Sequence, residues 1–292
     1  MKHFIPIIAL FIIMLSSCSK NEISNFLIYS DSEIFYYEDK QYHFEENTCF
    51  LFDAQKEVGV SLQLQENNFI ITMLSDNKTI SIPFEKGMPN LGKGFCYFCN
   101  SKILVRNDEY DFASFYIIDL QNQTSFMIDI EDIAFYEICN FSPAGILLYS
   151  LTSSDIILVN INTQKYVCLK NHNEKIYVIR GQDYLVESRG KYLYLINIIT
   201  SEEINTHVKM KDPYGKFLSD NFFYYDGDNF YYAKKDYIFI LKNLFPYIFT
   251  SLLPSPKTYP VQWYKRNLSS KQEYKIKLKT NFAVLEGVYS YN

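Results

Sequence analysis

The chain has 292 residues and a formal net charge of −5, and 17% of it is aromatic, with 26 Tyr and 24 Phe against 10 Gly. So much apolar surface excludes a generally disordered chain. A weakly acidic sequence without runs of like charge lacks the electrostatic footprint of a nucleic-acid binder, so no nucleic-acid partner is expected. The length suits one large all-β or repeat domain.

The chain opens MKHFIPIIALFIIMLSSCSK. Lys2 and His3 form a short basic region, and residues 4–14 form an unbroken apolar run. That run is too short to cross a bilayer as a helix and fits a secretory signal. Leu15-Ser16-Ser17-Cys18 then resembles the lipobox of bacterial lipoproteins. The resemblance implies a signal peptide over residues 1–17, removed by cleavage before Cys18. It also implies a lipid on the Cys18 thiol and an acyl group on the new amino terminus, so that the membrane is a partner through the lipid. Several buried acyl chains, at ~0.8 kcal/mol per methylene, would make such anchoring effectively permanent. Ser19 after the cysteine implies an outer-membrane lipoprotein, facing the periplasm or the cell surface. Residues 18–24 then read as a tether and 25–292 as the folded domain.

Within that domain one pattern recurs. FIITMLSDNKTISI (69–82), FYIIDLQNQTSFMI (115–128), IILVNINTQKYVCL (156–169) and LYLINIITSEEINT (193–206) share a design. Each has an apolar run, a polar turn and a second β-prone run. Asp119, Asn160 and Asn197 are equivalent points before the turn, 41 and 37 residues apart, and Thr72 or Met73 is the matching point upstream. Residues 103–105, 146–149 and 184–186 supply a further strand ahead of the last three copies. Residues 221–241 read as a fifth copy, 26–44 as a leading strand set, and three β-prone stretches close the chain.

About four strands in roughly 40 residues is the sequence signature of a propeller blade. The middle strands, 116–118, 156–159 and 192–196, are apolar on both faces, as a sheet stacked between two neighbours requires. The expected fold is all-β, a β-propeller with six blades favoured over seven, the first and last segments sharing one blade. Lipobox and aromatic β repeats together resemble the lipid-anchored six-bladed or TolB-like propeller proteins of Bacteroidota. No motif within the repeats narrows this further.

Candidate chemistry is sparse. Cys96-Tyr97-Phe98-Cys99 could hold half a zinc site or a redox pair, but no second ligand pair follows and a strand points these residues to opposite faces. Buried thiols, or a disulfide in an oxidising compartment, are the remaining readings. Asp226-Gly227-Asp228-Asn229 reads as a hairpin turn rather than a calcium loop. The carboxylates at 107–111 and 129–132 read as solvated inter-strand segments, and His43, His172 and His207 stand apart from any nucleophile motif. No catalytic residue, metal ligand or cofactor is assigned. The aromatic cluster Phe222, Tyr224, Tyr225, Tyr231 and Tyr232 is the candidate binding surface, although packing between blades uses the same residues.

These readings lead to an extracytoplasmic binding or scaffold module, with a protein of the cell envelope as the expected partner. A propeller enzyme acting on a glycan is one alternative, and a structural envelope protein without a ligand is another.

Overall fold

The structure is a computed structural model. It describes residues 21–23, 27–30, 34–37, 40–45, 47–85, 87–92, 94–151, 155–169, 176–209, 223–235, 261–278 and 284–288. Cys18, Phe222 and His172 lie outside the described residues, as does the whole stretch 236–260.

The described residues form strands joined by turns, and the strands pair into six sheets. The first strand, β1 (Asn21–Ile23), is short, and β2 (Leu27–Ser30), β3 (Ile34–Tyr37) and β4 (Lys40–His43) follow it. The next sheet is β5 (Thr48–Asp53), β6 (Val58–Gln65), β7 (Asn68–Met73) and β8 (Thr79–Pro83). A two-residue β9 (Pro89–Asn90) precedes β10 (Cys96–Cys99), β11 (Lys102–Asn107), β12 (Phe112–Asp119) and β13 (Thr124–Ala134). Two further meanders are β14 (Tyr136–Ser142), β15 (Gly145–Ser150), β16 (Ile156–Val159), β17 (Tyr166–Leu169), and β18 (Ile176–Val178), β19 (Tyr184–Arg189), β20 (Tyr192–Asn197), β21 (Glu203–Lys209). The chain ends with β22 (Phe223–Tyr225), β23 (Asn229–Lys235), β24 (Val261–Asn267), β25 (Glu273–Lys277) and β26 (Val284–Val288).

Consecutive strands pair antiparallel within each sheet, except that the short β9 pairs with β11 and that two pairings involve the chain ends. β26 pairs with β2, so the last and first parts of the chain share a sheet ordered β26-β2-β3-β4. β1 adds in parallel to β25, at the outer edge of the sheet β22 to β25. Asn21–Ile23, read from sequence as part of a tether, is therefore a strand. The first strand of one sheet lies against the first strand of the next: β22 against β26, β26 against β5, β5 against β10, and β10 against β14. The fold is an all-β β-propeller, with these strands nearest the axis.

Burial follows this stacking. Residues 113–119 of β12 are all buried, and in β16 only Leu158 is partly exposed. In β20 half-buried and buried residues alternate from Tyr192 to Ile196, and none of the strand is exposed. Both faces of these strands are covered by neighbouring sheets, so β-branched and aromatic residues fill them without the usual polar alternation. The outermost strands differ: β13 alternates between exposed and buried positions. Asp129, Glu131 and Asp132 lie on its exposed side, so they are solvated as expected but belong to a strand rather than a loop.

The turn after each third strand explains the repeat. Asp119 accepts the backbone N–H groups of Gln121 and Asn122 at 3.0 and 3.1 Å. Asn160 accepts those of Asn162 and Thr163, both at 3.0 Å, and Asn197 those of Ile199 and Thr200, both at 2.9 Å. Four residues on, Gln123, Gln164 and Ser201 have φ of 52°, 56° and 59°. A side-chain oxygen that binds the backbone two and three residues ahead organises such a turn locally. Asn77, at φ 59°, stands four residues after Met73, so Met73 is the matching point in the first copy without a capping oxygen. In the last sheet the equivalent residue is Asn267, which accepts Ser270 N–H at 2.7 Å ahead of Lys271 at φ 59°. The Asp226–Asn229 turn is a hairpin as expected, but it joins first and second strands and is out of phase with the other copies.

Gly145 closes the β14–β15 hairpin at φ +140°, and a Cβ there would lie 2.0 Å from the backbone oxygen of Val159 on β16. Replacement by alanine would combine backbone strain with a clash against a sheet that cannot move. Gly145→Ala is expected to destabilise the domain by roughly 2–4 kcal/mol in urea unfolding, whereas Gly190→Ala, with open space around it, meets only the backbone term.

Candidate functional site: an axial pocket closed at one end

The innermost strands share one direction, so the ring has two chemically different ends. At the end where they finish, the turn between β18 and β19, residues 179–183, lies across the axis and is tied to three other sheets. Asn140 on β14 donates from Nδ2 to the carbonyls of Ile179 and Gln182, both at 2.9 Å, and its Oδ1 accepts Gly181 N–H at 2.8 Å. Asp183 accepts Ala144 N–H at 2.9 Å, and Gln182 Nε2 donates to Tyr225 O at 2.5 Å. The Cys99 thiol donates to Gly181 O at 3.5 Å. A buried asparagine with three bonds to one turn leaves that turn a single arrangement.

From this turn the Arg180 side chain runs along the axis. Its Nη2 donates to Cys96 O at 2.8 Å, and its guanidinium lies 4.8 Å from the Tyr97 ring centroid. Tyr97 in turn donates to Ile138 O at 2.9 Å. Arg180 thereby reaches the far end, where the innermost strands begin, and forms part of a pocket of about 600 Å³.

The pocket wall comes from the β4–β5 link, the start of β5, and a strap that connects β8 to β10. Phe44, Phe50, Leu64 and Leu91 give it apolar surface, and Met88 stands at its edge, 64% exposed. The strap is tied down on β11. Met88 N–H donates to Asn107 Oδ1 at 2.8 Å, Asp108 N–H to Met88 O at 2.9 Å, and Asn90 Nδ2 to Asp108 Oδ2 at 2.5 Å. Asp108 also pairs with Arg106, Nε to Oδ1 at 2.7 Å, and Arg106 is held over the Phe95 and Tyr136 rings at 5.0 and 5.3 Å. Glu45 and Asp108 are the carboxylates of the wall. Among the described residues no group of three or more His, Cys, Asp or Glu could hold a metal ion.

The aromatic cluster expected as a surface is placed differently. Tyr224, Tyr231 and Tyr232 are 5%, 3% and 0% exposed. Tyr232 stacks between Phe230 and Tyr264, at 5.9 and 5.7 Å, and its hydroxyl donates to Glu273. Burial, then that carboxylate, pushes the Tyr232 phenol well above its ordinary range. These rings are taken up by the core between sheets. Tyr225 alone of the described members is half-buried, with its ring 5.2 Å from Tyr184 and its hydroxyl donating to Gly227 O at 2.5 Å. Trp263 is 2% exposed and packs in the same buried cluster.

Sequence reading did not find Arg180, Asn140 or the strap. Asn140 did leave a signal: a lone amide inside the apolar run 138–141 must find partners once buried. Arg180 left none, because its path along the axis depends on sheets distant in the chain.

No protein-family model and no curated protein matches the chain. Solved structures resemble it in architecture. A protein of unknown function from Bacteroides caccae aligns at a TM-score of 0.49 and 9% identity, over 90% of this chain and 96% of that one. A protein assigned as TolB from Agrobacterium tumefaciens aligns at 0.47 and 10% identity, over 84% and 90%. A protein of unknown function from Bacteroides thetaiotaomicron aligns at 0.42 and 11%, over 94% and 68%.

The closed end is testable on its own. Asn140→Ala removes the partner of two carbonyls and one N–H at the axis, each costing about 1–3 kcal/mol when left buried and unbonded. The variant should unfold at least ~2 kcal/mol more easily in urea, and the amide of Gly181 should lose hydrogen-exchange protection before the rest of the domain. Unchanged exchange at Gly181 would mean that the turn is held by other contacts.

Proposed function

We propose that the chain is a lipoprotein anchored through Cys18 in the outer membrane, and that its ring binds a protein partner of the cell envelope in the axial pocket. Six blades are the blade number most consistent with the six sheets and with the innermost strands lying side by side. The observation that carries the binding role is the asymmetry of the axis. One end is sealed by residues 179–183, and the other opens into a cavity of about 600 Å³ with an exposed methionine at its edge. An apolar wall with a few fixed polar groups suits recognition of a side chain or chain terminus. Asp108 is engaged by Arg106 and Asn90, which favours recognition over a free acid–base pair for glycan cleavage.

The first strand supports a particular orientation. β1 runs parallel to β25, with Asn21 opposite Lys275 and Ile23 opposite Lys277. β25 starts at the sealed end, because Asn267 and Asn229 meet there beside the β22–β23 turn. Three Cα steps from Asn21 back to Cys18 span at most about 11 Å. The lipid would thus hold the sealed end towards the bilayer and leave the pocket facing away, open to a partner.

Two measurements check this reading. Cys18→Ala should abolish incorporation of labelled palmitate and move the protein from the membrane to the soluble fraction. A photo-crosslinking residue placed at Met88 in intact cells should capture one protein. The same residue at Phe126, exposed near the opposite end, should not, and Leu91→Glu should weaken the Met88 capture at least about tenfold. Equal capture at both positions, or a glycan adduct at Met88, would replace the proposal.

A further inference from the structure

The CxxC at 96–99 directs attention to the wrong pair. Cys96 packs with the core between the second sheet and the third, whereas Cys99 belongs to the core on the other side of β10. Their strand positions send them to opposite faces. Cys139 packs in a third cluster, and Cys168 is exposed on β17. The thiol that faces Cys96 is Cys49, near the start of β5, the strand that lies against β10. Both cysteines are free and buried, at 8% and 1% exposure. Cys49 also lines the axial pocket, which gives a soluble reagent a route to it.

We propose that Cys49 and Cys96 are joined by a disulfide when the protein is exported, so that the second and third sheets of the ring are linked covalently. The oxidant is a disulfide, of a small molecule or of an oxidoreductase, entering through the pocket. The Cys49 thiolate attacks one sulfur of that disulfide, forming a mixed disulfide and releasing one thiolate. The Cys96 thiolate then attacks the Cys49 sulfur and releases the second. Two protein thiols lose two electrons and two protons, and the oxidant gains them as two thiols. Burial, and the Cys49 thiol beside it, raise the Cys96 thiol well above its ordinary value, while the nearby Arg180 guanidinium works in the opposite direction. The bond would therefore form slowly and, once formed, resist reductants. It would close a loop of 46 intervening residues, restricting the unfolded chain more than the folded one. The proposal takes only the source of the oxidant from the export reading.

The test uses the full chain carrying Cys168→Ser, which removes the exposed thiol, purified with its remaining thiols reduced. Incubation with oxidised glutathione, alkylation in denaturant and peptide mapping follow. A peptide pair linked through Cys49 and Cys96 is expected, with Cys99 and Cys139 still alkylated. Tm should rise on the order of 5 °C and return on reduction. Cys96→Ser should remove the redox dependence of Tm and leave Cys49 alkylated. Alkylation of both Cys49 and Cys96 after oxidation, or a link from Cys96 to Cys99, would overturn the assignment. Either result alongside palmitate on Cys18 in cells would leave the anchoring proposal standing.

Discussion

The structure depends on one constraint: its middle strands carry apolar side chains on both faces and need a neighbouring sheet on each side. An open stack would leave two end sheets with a bare face. A ring gives each sheet two neighbours, at the cost of joining sheets far apart in sequence. Here β26 pairs with β2, so the chain's two ends hold one sheet together. Side chains then mesh across the gap. A Cβ on Gly59 of β6 would lie 2.8 Å from the Tyr37 ring of β3, which leaves room for nothing larger than glycine beside that tyrosine.

A ring also creates a problem at its centre, where the ends of the innermost strands bring backbone polar groups together away from water. This chain answers with the turn at 179–183. Its Gly181 N–H and its carbonyls at 179, 181 and 182 are bonded by Asn140 and Cys99 rather than left to solvent, and its own Gln182 side chain satisfies the Tyr225 carbonyl. The same pattern recurs between the first strands of neighbouring sheets. Asp53 is fully buried, yet its carboxylate accepts N–H groups from Gln55, Lys56 and, across the gap, Ser101. Polar side chains at this end are tie-points between sheets, which is why they are buried and why they bond to backbone.

What could be read in the sequence was what is settled locally. The turns at Asp119, Asn160 and Asn197 are organised by a side chain binding its own next residues, so their spacing exposed the repeat before any fold was known. The double-sided burial of β12 and β16 was legible for the same reason, as was the sharing of a sheet by the two ends of the chain. The phase of the 226–229 hairpin was not, because a first-to-second turn and a third-to-fourth turn use the same polar residues. β1 was missed because three residues carry no periodicity, and only β25 makes them a strand. The aromatic cluster was the least legible. Composition cannot distinguish a tyrosine whose ring stacks in a core and whose hydroxyl finds a carboxylate, as Tyr232 does, from one that meets a ligand. The neighbour of Cys96 was hidden likewise, since Cys49 belongs to another sheet.

The two ends of the ring differ because of how the chain connects its strands. The third-to-fourth turns after β7, β12, β16, β20 and β24 are short and each ends on a residue at positive φ, so the end that carries them is conformationally uniform. Connections from one sheet to the next emerge at the other end and need no common geometry. The link from β13 to β14 is the single residue Phe135, whereas the link from β8 to β10 is a strap fastened at Asn107 and Asp108. Variation concentrates where repetition does not require sameness. That is the end where the pocket lies, walled by the strap and reached along the axis by Arg180 from the uniform end. A site assembled in this way can change with one connection while the ring beneath it keeps its packing.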